Sequence, residues 1–329
     1  MTTDFRLEKS SLGDAWDRLV TGSANGTLFH LSEYLRALNG HIAVYHCLNN
    51  REVRGGLVVA ESADGRNAIL HDFLIYGGAF FQPPTANQGV SAYRSEVFSI
   101  TQTIAEHLPC FYSNIQLALH PSVIDIRPFL WVNYGTERPK YIPDVRYTSH
   151  VRIEEFATAE RLEDLQLYKE ASYSRRQEIR YGKKRGVQTI TSEDSSLFVE
   201  FYRKTMERQN IQVSGETLQE MRLLIDSLLK IGQGRLFVSL TPGGDPGSMA
   251  FFAWDRHRAY YLFGANDPLL RDHHTGTAVL WDAFRFLSLL GIREVDLEGV
   301  NSPRRGWFKL SFGGSLEPYY QLTYQGGPS

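Results

Sequence analysis

An α/β (α+β) protein of two domains, in which mostly antiparallel strands are flanked by helices, is the architecture the sequence predicts. Three observations predict it. The chain has 329 residues, about twice the ~150 that serve one domain. Its 42% apolar and 22% charged content is that of a globular chain able to build a core in each half. Finally, a strand–strand–helix–strand order in the first half recurs, with more helices, in the second.

In the first half, the apolar runs Ile42 to Leu48 (IAVYHCL) and Gly56 to Ala60 (GLVVA) read as strands, and Ser62, Ala63, Asp64 and Gly65 supply the turn to the next. Residues 92–107 read as a helix and Ile115 to Leu119 as another strand. The stretch around Pro139, Pro143 and Asp144 reads as irregular and polar, which places the domain boundary near residue 150 and the domains at 1–150 and 151–329. In the second half, Ser174 with Gln177 three residues later fits a capping box, and Gly182 or Gly186 ends the helix it opens. Leu197, Phe198, Phe201, Tyr202, Thr205 and Met206 keep a helical stripe, as do Leu218, Met221, Ile225 and Leu228. A meander follows: RLFVSL from Arg235, the turn PGGDPG, MAFFAW from Met249 and AYYLFG from Ala259. After ANDPLLRDHHTG, a helix beginning near Thr277 carries Val279, Leu280, Ala283, Phe284, Leu287 and Leu290 and stops at Gly291. The strand REVDLEGV comes next.

Composition narrows the function. With 35 Lys plus Arg against 37 Asp plus Glu, the net charge is −2, whereas a chain whose main partner is a long nucleic acid is visibly basic. Cys47 and Cys110 are the two cysteines and lack CxxC spacing, which argues against a disulfide scaffold or a thiolate zinc site and fits a reducing compartment. The opening MTTDFRLEKSSLGD is too polar for a secretory signal, and no apolar run approaches the ~20 residues of a membrane span. A cytoplasmic location is expected. Walker-type, HExxH and GxSxG motifs are absent, so NTPase, zincin and serine hydrolase chemistry lose support.

Two segments carry chemistry. At RDHHTGTA (Arg271 to Ala278) a strand passes into a helix, whose first N–H groups and positive dipole end make a site for a pyrophosphate. Gly276 admits close approach to the backbone, Ala278 keeps the first turn slim, and Thr275 and Thr277 bring hydroxyl donors; the same residues also read as plain capping. His273 and His274 point apart and have no third partner at metal-ligand spacing, so no metal is expected. The second segment, VDLEGVNSPRRGWFKLSFGG, reads as a strand feeding a tight glycine-punctuated loop. There Asn301, Ser302, Arg304, Arg305 and Lys309 stand beside Trp307 and Phe308, cations and aromatic faces suited to a phosphorylated, ring-bearing ligand. Arg176, Arg180 and Lys184, four apart, read as one helix face, either solvated or in contact with RNA or phosphate.

The segments SRRQEIRYGKKRGV, FYRKTMERQNI and YYLFGANDPLLRDHHTGTAVLWDAFRFLSLLGIREVDLEGVNSPRRGWFKLSFGG resemble the GNAT superfamily in its tandem FemAB-like branch, over roughly residues 165–320. The resemblance implies two GNAT-like domains in tandem, each a central mixed, mostly antiparallel sheet flanked by helices, with the acceptor held between them. It implies acyl-CoA as co-substrate on the turn [QR]xxGx[GA], here His273, Gly276 and Ala278, with carbonyl-polarising N–H groups near Phe263 and Gly264. It associates Arg208 and Lys309 with the acceptor phosphate and the reacting carbonyl. A subgroup that this chain resembles acylates nucleotide-linked deoxyamino sugars, dTDP- or UDP-linked, for surface polysaccharide. A FemAB-type transferase taking aminoacyl-tRNA to a cell-wall peptide precursor, or a non-catalytic sugar-nucleotide-binding pair, are the alternatives. Within that reading Glu298 and Asp296, on one strand face by alternation, are candidate bases, with His71 and Asp72 behind them. Arg208, Arg304 and Arg305 are candidates for the nucleotide diphosphate.

Overall fold

The computed structural model describes residues 5–326. The chain forms two compact units. One ends at Arg146 and takes the chain back from Pro318, and the other runs Tyr147–Glu317, a return that a single boundary near residue 150 does not include.

The first unit holds, in chain order, β1 (Phe5–Lys9), α1 (Asp14–Gly22), α2 (Ser32–Ala37), β2 (His41–Asn49), β3 (Glu52–Glu61), β4 (Asn67–Ile69), β5 (Gly78–Phe81), α3 (Val90–Phe111), β6 (Asn114–Ala118) and α4 (Arg127–Trp131). β1, β2 and β3 are antiparallel neighbours, β3 also takes β4 and β5, and β4 runs parallel to β6. Ile100, Ile104 and Leu108, at helical spacing on α3, bury one stripe against Tyr45, Leu57 and Ile115 of the sheet. β7 (Tyr141–Arg152) then leads into the second unit, so the stretch expected to be irregular is a strand. Its first half is mostly exposed, and without an apolar alternation it gives no local strand signal.

The second unit continues with α5 (Gln166–Glu170), α6 (Tyr173–Arg185), β8 (Gln188–Ser192), α7 (Ser195–Glu207), α8 (Gly215–Lys230), β9 (Gly234–Leu240), β10 (Pro246–Trp254), β11 (Arg258–Asn266), α9 (Thr275–Leu289), β12 (Glu294–Asp296), α10 (Pro303–Leu310) and the start of β13 (Ser315–Gln325). Its strands run β8–β9–β10–β11–β12–β7, antiparallel throughout except for the parallel pair β11–β12. That one parallel pair is the crossover through α9, whose buried stripe Leu280, Ala283, Phe284 and Leu287 covers Phe252, Ala259 and Val295.

Three local expectations change. The cap of α6 is Ser172, which accepts the N–H of Arg175 at 3.2 Å, in place of Ser174; Gly186 closes the helix in the left-handed region at φ 82°. α9 begins at Thr275, two residues before Thr277. The segment expected to be a tight loop contains α10, which Pro303 opens at its first position with a φ already suited to the helix.

Phe284 is fully buried and meets Phe252, Trp281 and Phe312 edge-on. Phe284→Ala is expected to cost about 3–5 kcal/mol, read as a lower urea midpoint. Leu289→Ala, on the exposed end of the same helix, is expected to stay within about 0.5 kcal/mol.

Candidate functional site

The site grows from a ladder that stops early. β11 pairs with β12 only through Arg258–Glu294, Ala259–Val295 and Tyr260–Asp296. β11 then runs on to Asn266, while the chain after Asp296 turns away through Glu298 at φ 50° and Gly299 at φ 42°. Among the described residues, β12 does not follow β11 beyond Tyr260. On the other edge of β11 the register against β10 slips between Phe251 and Phe252, so that Leu262 has no opposite residue. Such a bulge re-aims the groups beside it. Phe263 and Gly264 follow immediately, Phe263 buried against Phe251 and Phe198. Gly264 leaves room for the Tyr261 ring, because a Cβ on it would lie 1.7 Å from that ring's hydroxyl and force the ring to move.

Asp296, fully buried, ends β12 and organises the turn. It accepts the hydroxyl of Thr148, the N–H of Glu298 at 2.8 Å and His150 Nε2 at 3.2 Å. Burial alone pushes its carboxyl up, but these donors and the His150 charge hold it below the usual range. Glu298 is different. It is buried, and its Oε1 has no hydrogen-bond partner among the described residues. Burial and the neighbouring Asp296 charge push it well above the ordinary carboxylate range, against the pull of Lys309. Lys309, from the last turn of α10, donates to the backbone carbonyl of Glu298 at 3.0 Å and stands 5.0 Å over the Tyr261 ring. Burial, helped by Arg305, lowers its amine to about 8, with Glu298 and Asp296 opposing. The expectation that Asp296 and Glu298 share a strand face by alternation fails, since the strand ends at Asp296. Their carboxyls are nevertheless electrostatic neighbours.

The turn before α9 lies at the far end of the same strand. His273 closes a short 3-10 turn (Pro268–His273) and His274 takes the left-handed conformation at φ 64°. The N–H groups of His274, Thr277 and Ala278 are used within the turn; those of Thr275 and Gly276 make no hydrogen bond among the described residues. A Cβ on Gly276 would lie 2.9 Å from Asn266 Oδ1. The threonine hydroxyls, expected as donors to a ligand, are buried and engaged within the fold. That of Thr275 pairs with Ser248 Oγ at 2.8 Å, and that of Thr277 with Glu178 at 2.5 Å and with Arg175.

The remaining expected residues spread over the second unit. Arg208 caps α7 and binds Asp267 at 2.6 Å, just ahead of the turn. Asn301 spends its amide on both backbone groups of Tyr147, at 2.7 and 2.9 Å. Ser302 stands at the entry to α10 without a side-chain cap, and Arg304, Arg305 and Trp307 are exposed on that helix, Trp307 at 78%. Arg180 and Lys184 are exposed and Arg176 is half-buried, bonded to the carbonyls of Lys169 and Ala171. In the first unit, His71 binds the Asn39 carbonyl and the Phe73 N–H, beside an exposed Asp72. Among the described residues no three of His, Cys, Asp and Glu gather as metal ligands, and no helix is long and apolar enough to cross a membrane. Sequence reasoning missed Tyr261 and Arg175. Arg175 was within reach, because with Ile179 and Gly182 it occupies the buried stripe of α6.

Residues 169–307 match the acetyltransferase (GNAT) domain family. The whole chain is similar in fold to the crystal structure of FemX, at 16% identity and a TM-score of 0.63 over 95% of this chain and 96% of that one. It is also similar to a tandem GNAT protein from the clavulanic acid biosynthesis pathway, at 11% identity and a TM-score of 0.54 over 99% and 100%. A third neighbour is the C-terminal domain of a putative lysylphosphatidylglycerol synthetase from Agrobacterium fabrum, at 11%, 0.54, and 90% and 87% coverage. No curated protein matches the sequence significantly. The fold is thus the expected one, mixed α/β with GNAT-like domains in tandem.

The Glu298 charge raises the Lys309 amine, so Glu298→Gln is expected to carry the Lys309 titration below about 8. Competitive labelling of that lysine across pH checks this; an unchanged midpoint means that the two groups do not interact.

Proposed function

We propose that the second unit is an N-acyltransferase, moving an acyl group from acyl-CoA to the amino group of a nucleotide-linked deoxyamino sugar. The observation that carries acyl transfer is the pair of buried Glu298 and half-buried Lys309, with Lys309 set over Tyr261, beside the bulge where β11 loses its β12 partner. The match of this region to the GNAT domain supports it. The sugar rests on the resemblance and on the exposed Arg304, Arg305 and Trp307 of α10, a charged and aromatic surface suited to a diphosphate and a base.

In this reading the N–H groups of Thr275 and Gly276, at the positive end of α9, take the pyrophosphate of the carrier. The thioester carbonyl lies along the edge of β11 that β12 leaves, near the N–H group of Gly264. Lys309, while protonated, adds a charged donor as negative charge builds on the carbonyl oxygen. The amine nitrogen attacks the carbonyl carbon; the C–N bond forms, the C–S bond breaks, and the thiolate leaves with the electron pair. Glu298, once ionised, takes the proton the nitrogen loses, and its elevated pKa makes it a stronger acceptor than an exposed carboxylate. Holding both reactants in one site converts a bimolecular step into an oriented one, worth ~7–11 kcal/mol of the barrier. Asn301, Thr275 and Thr277 serve here as scaffold.

Two outcomes test this. Acetyl-CoA at a hundredfold excess over its Kd is expected to stabilise the protein by about 2.7 kcal/mol, and Gly276→Asp, which sets a negative charge at the turn, to weaken binding about tenfold or more; no stabilisation by any acyl-CoA contradicts the reading. With an amine acceptor, the rate is expected to fall above about pH 8, where Lys309 loses its proton, and Lys309→Arg, which stays charged, to carry that limb upward. A limb that does not move assigns it to another group.

A further inference from the structure

Arg175 is the one member of the basic run on α6 that the fold buries, 6% exposed. Its guanidinium is held from three sides. Nε donates to Ser311 Oγ at 2.9 Å, at the end of α10. Nη1 donates to Glu178 at 2.5 Å and to the Thr277 hydroxyl in the first turn of α9. Its Cζ lies 4.4 and 4.6 Å from the ring centroids of Phe308 and Phe312, which meet each other edge-on. One buried cation therefore ties α6 to the beginning of α9 and the end of α10, the two helices that carry the acyl-carrier turn and the lysine.

We propose that Arg175 is a positioning residue, which fixes the rotation of α10 so that Lys309 faces Glu298 and Tyr261, and which locks that helix to the first turn of α9. Resting on the acyl-transfer reading, it adds a residue to that site. The argument is geometric. Successive helical residues are about 100° apart around the axis. Clamping Phe308 and Phe312 toward α6 thus turns Lys309 to a different side, where its Nζ meets the Glu298 carbonyl. Lysine in place of Arg175 keeps the charge but loses the planar fork and its contact with the two rings.

The test reads Lys309 itself. Trace acetic anhydride labelling of the folded protein across about pH 6–11, followed by mass spectrometry, gives the lysine midpoint, expected at about 8 in the parent. The groups that face this amine are Glu298, Asp296, Arg305 and the Tyr261 ring. Arg175→Met is expected to raise the midpoint by about one pH unit or more, toward that of a solvated lysine, because α10 is free to turn its lysine outward. Arg175→Lys is expected to move it the same way and decides the matter should the methionine variant not fold. Phe284→Ala, destabilised in the same core, is expected to leave the midpoint in place. A midpoint unchanged from the parent in a folded Arg175 variant overturns the proposal, since a merely structural arginine lowers Tm without moving it. Acetyl-CoA affinity, measured in parallel on the parent, separates the two failures: absent binding defeats the acyl-transfer reading, whatever the labelling shows.

Discussion

The buried carboxylate of Asp296 is the constraint on which the site depends. By accepting the N–H of Glu298 it holds that residue in the left-handed region at φ 50°, a conformation that costs a non-glycine residue roughly 1–2 kcal/mol. A hydrogen bond to an ionised acceptor contributes about 1.5–3 kcal/mol, enough to offset it. The strand stops, the chain swings away from β11, and β12 leaves the edge of β11 beyond Tyr260. The same bond brings the Glu298 carboxyl beside the Asp296 charge and the Lys309 amine. Thr148 and His150, both on β7, hold Asp296 in turn.

Around that opening the second unit stacks its working parts along one strand. Tyr261 meets Lys309, Gly264 gives room to the Tyr261 hydroxyl, and Asn266 packs under Gly276 at the start of α9. Arg175 joins the helices from behind. The arrangement shields two groups from water, the buried Glu298 carboxyl, which is pushed up, and the half-buried Lys309 amine, which is brought down to about 8. Groups tuned toward neutrality in this way are suited to proton transfer near physiological pH.

What was legible in the sequence is what is local. The stripes of α7, α8 and α9, the meander β9–β11 and the closing glycine Gly186 follow from periodicity and turn chemistry, and the turn at Gly276 from its place between strand and helix. What was not legible is decided by residues far apart in the chain. The exposed half of β7 has no periodic signal of its own. α10 was hidden by Gly306, which reads as a loop residue but is a close-packing one: a Cβ there would lie 2.4 Å from the Val300 carbonyl. The hydroxyls of Thr275 and Thr277 look available until Ser248, Glu178 and Arg175 are placed against them. Lys309 and Glu298 stand out in the sequence as candidates, but their coupling arises from a backbone turn that strand alternation does not contain.

A crystal structure of the protein with coenzyme A tests the central claim most directly. The account predicts the diphosphate on the N–H groups of Thr275 and Gly276, and the thiol against the open edge of β11 near Gly264, within reach of Lys309. Coenzyme A bound elsewhere, or that edge closed by other parts of the chain, contradicts it.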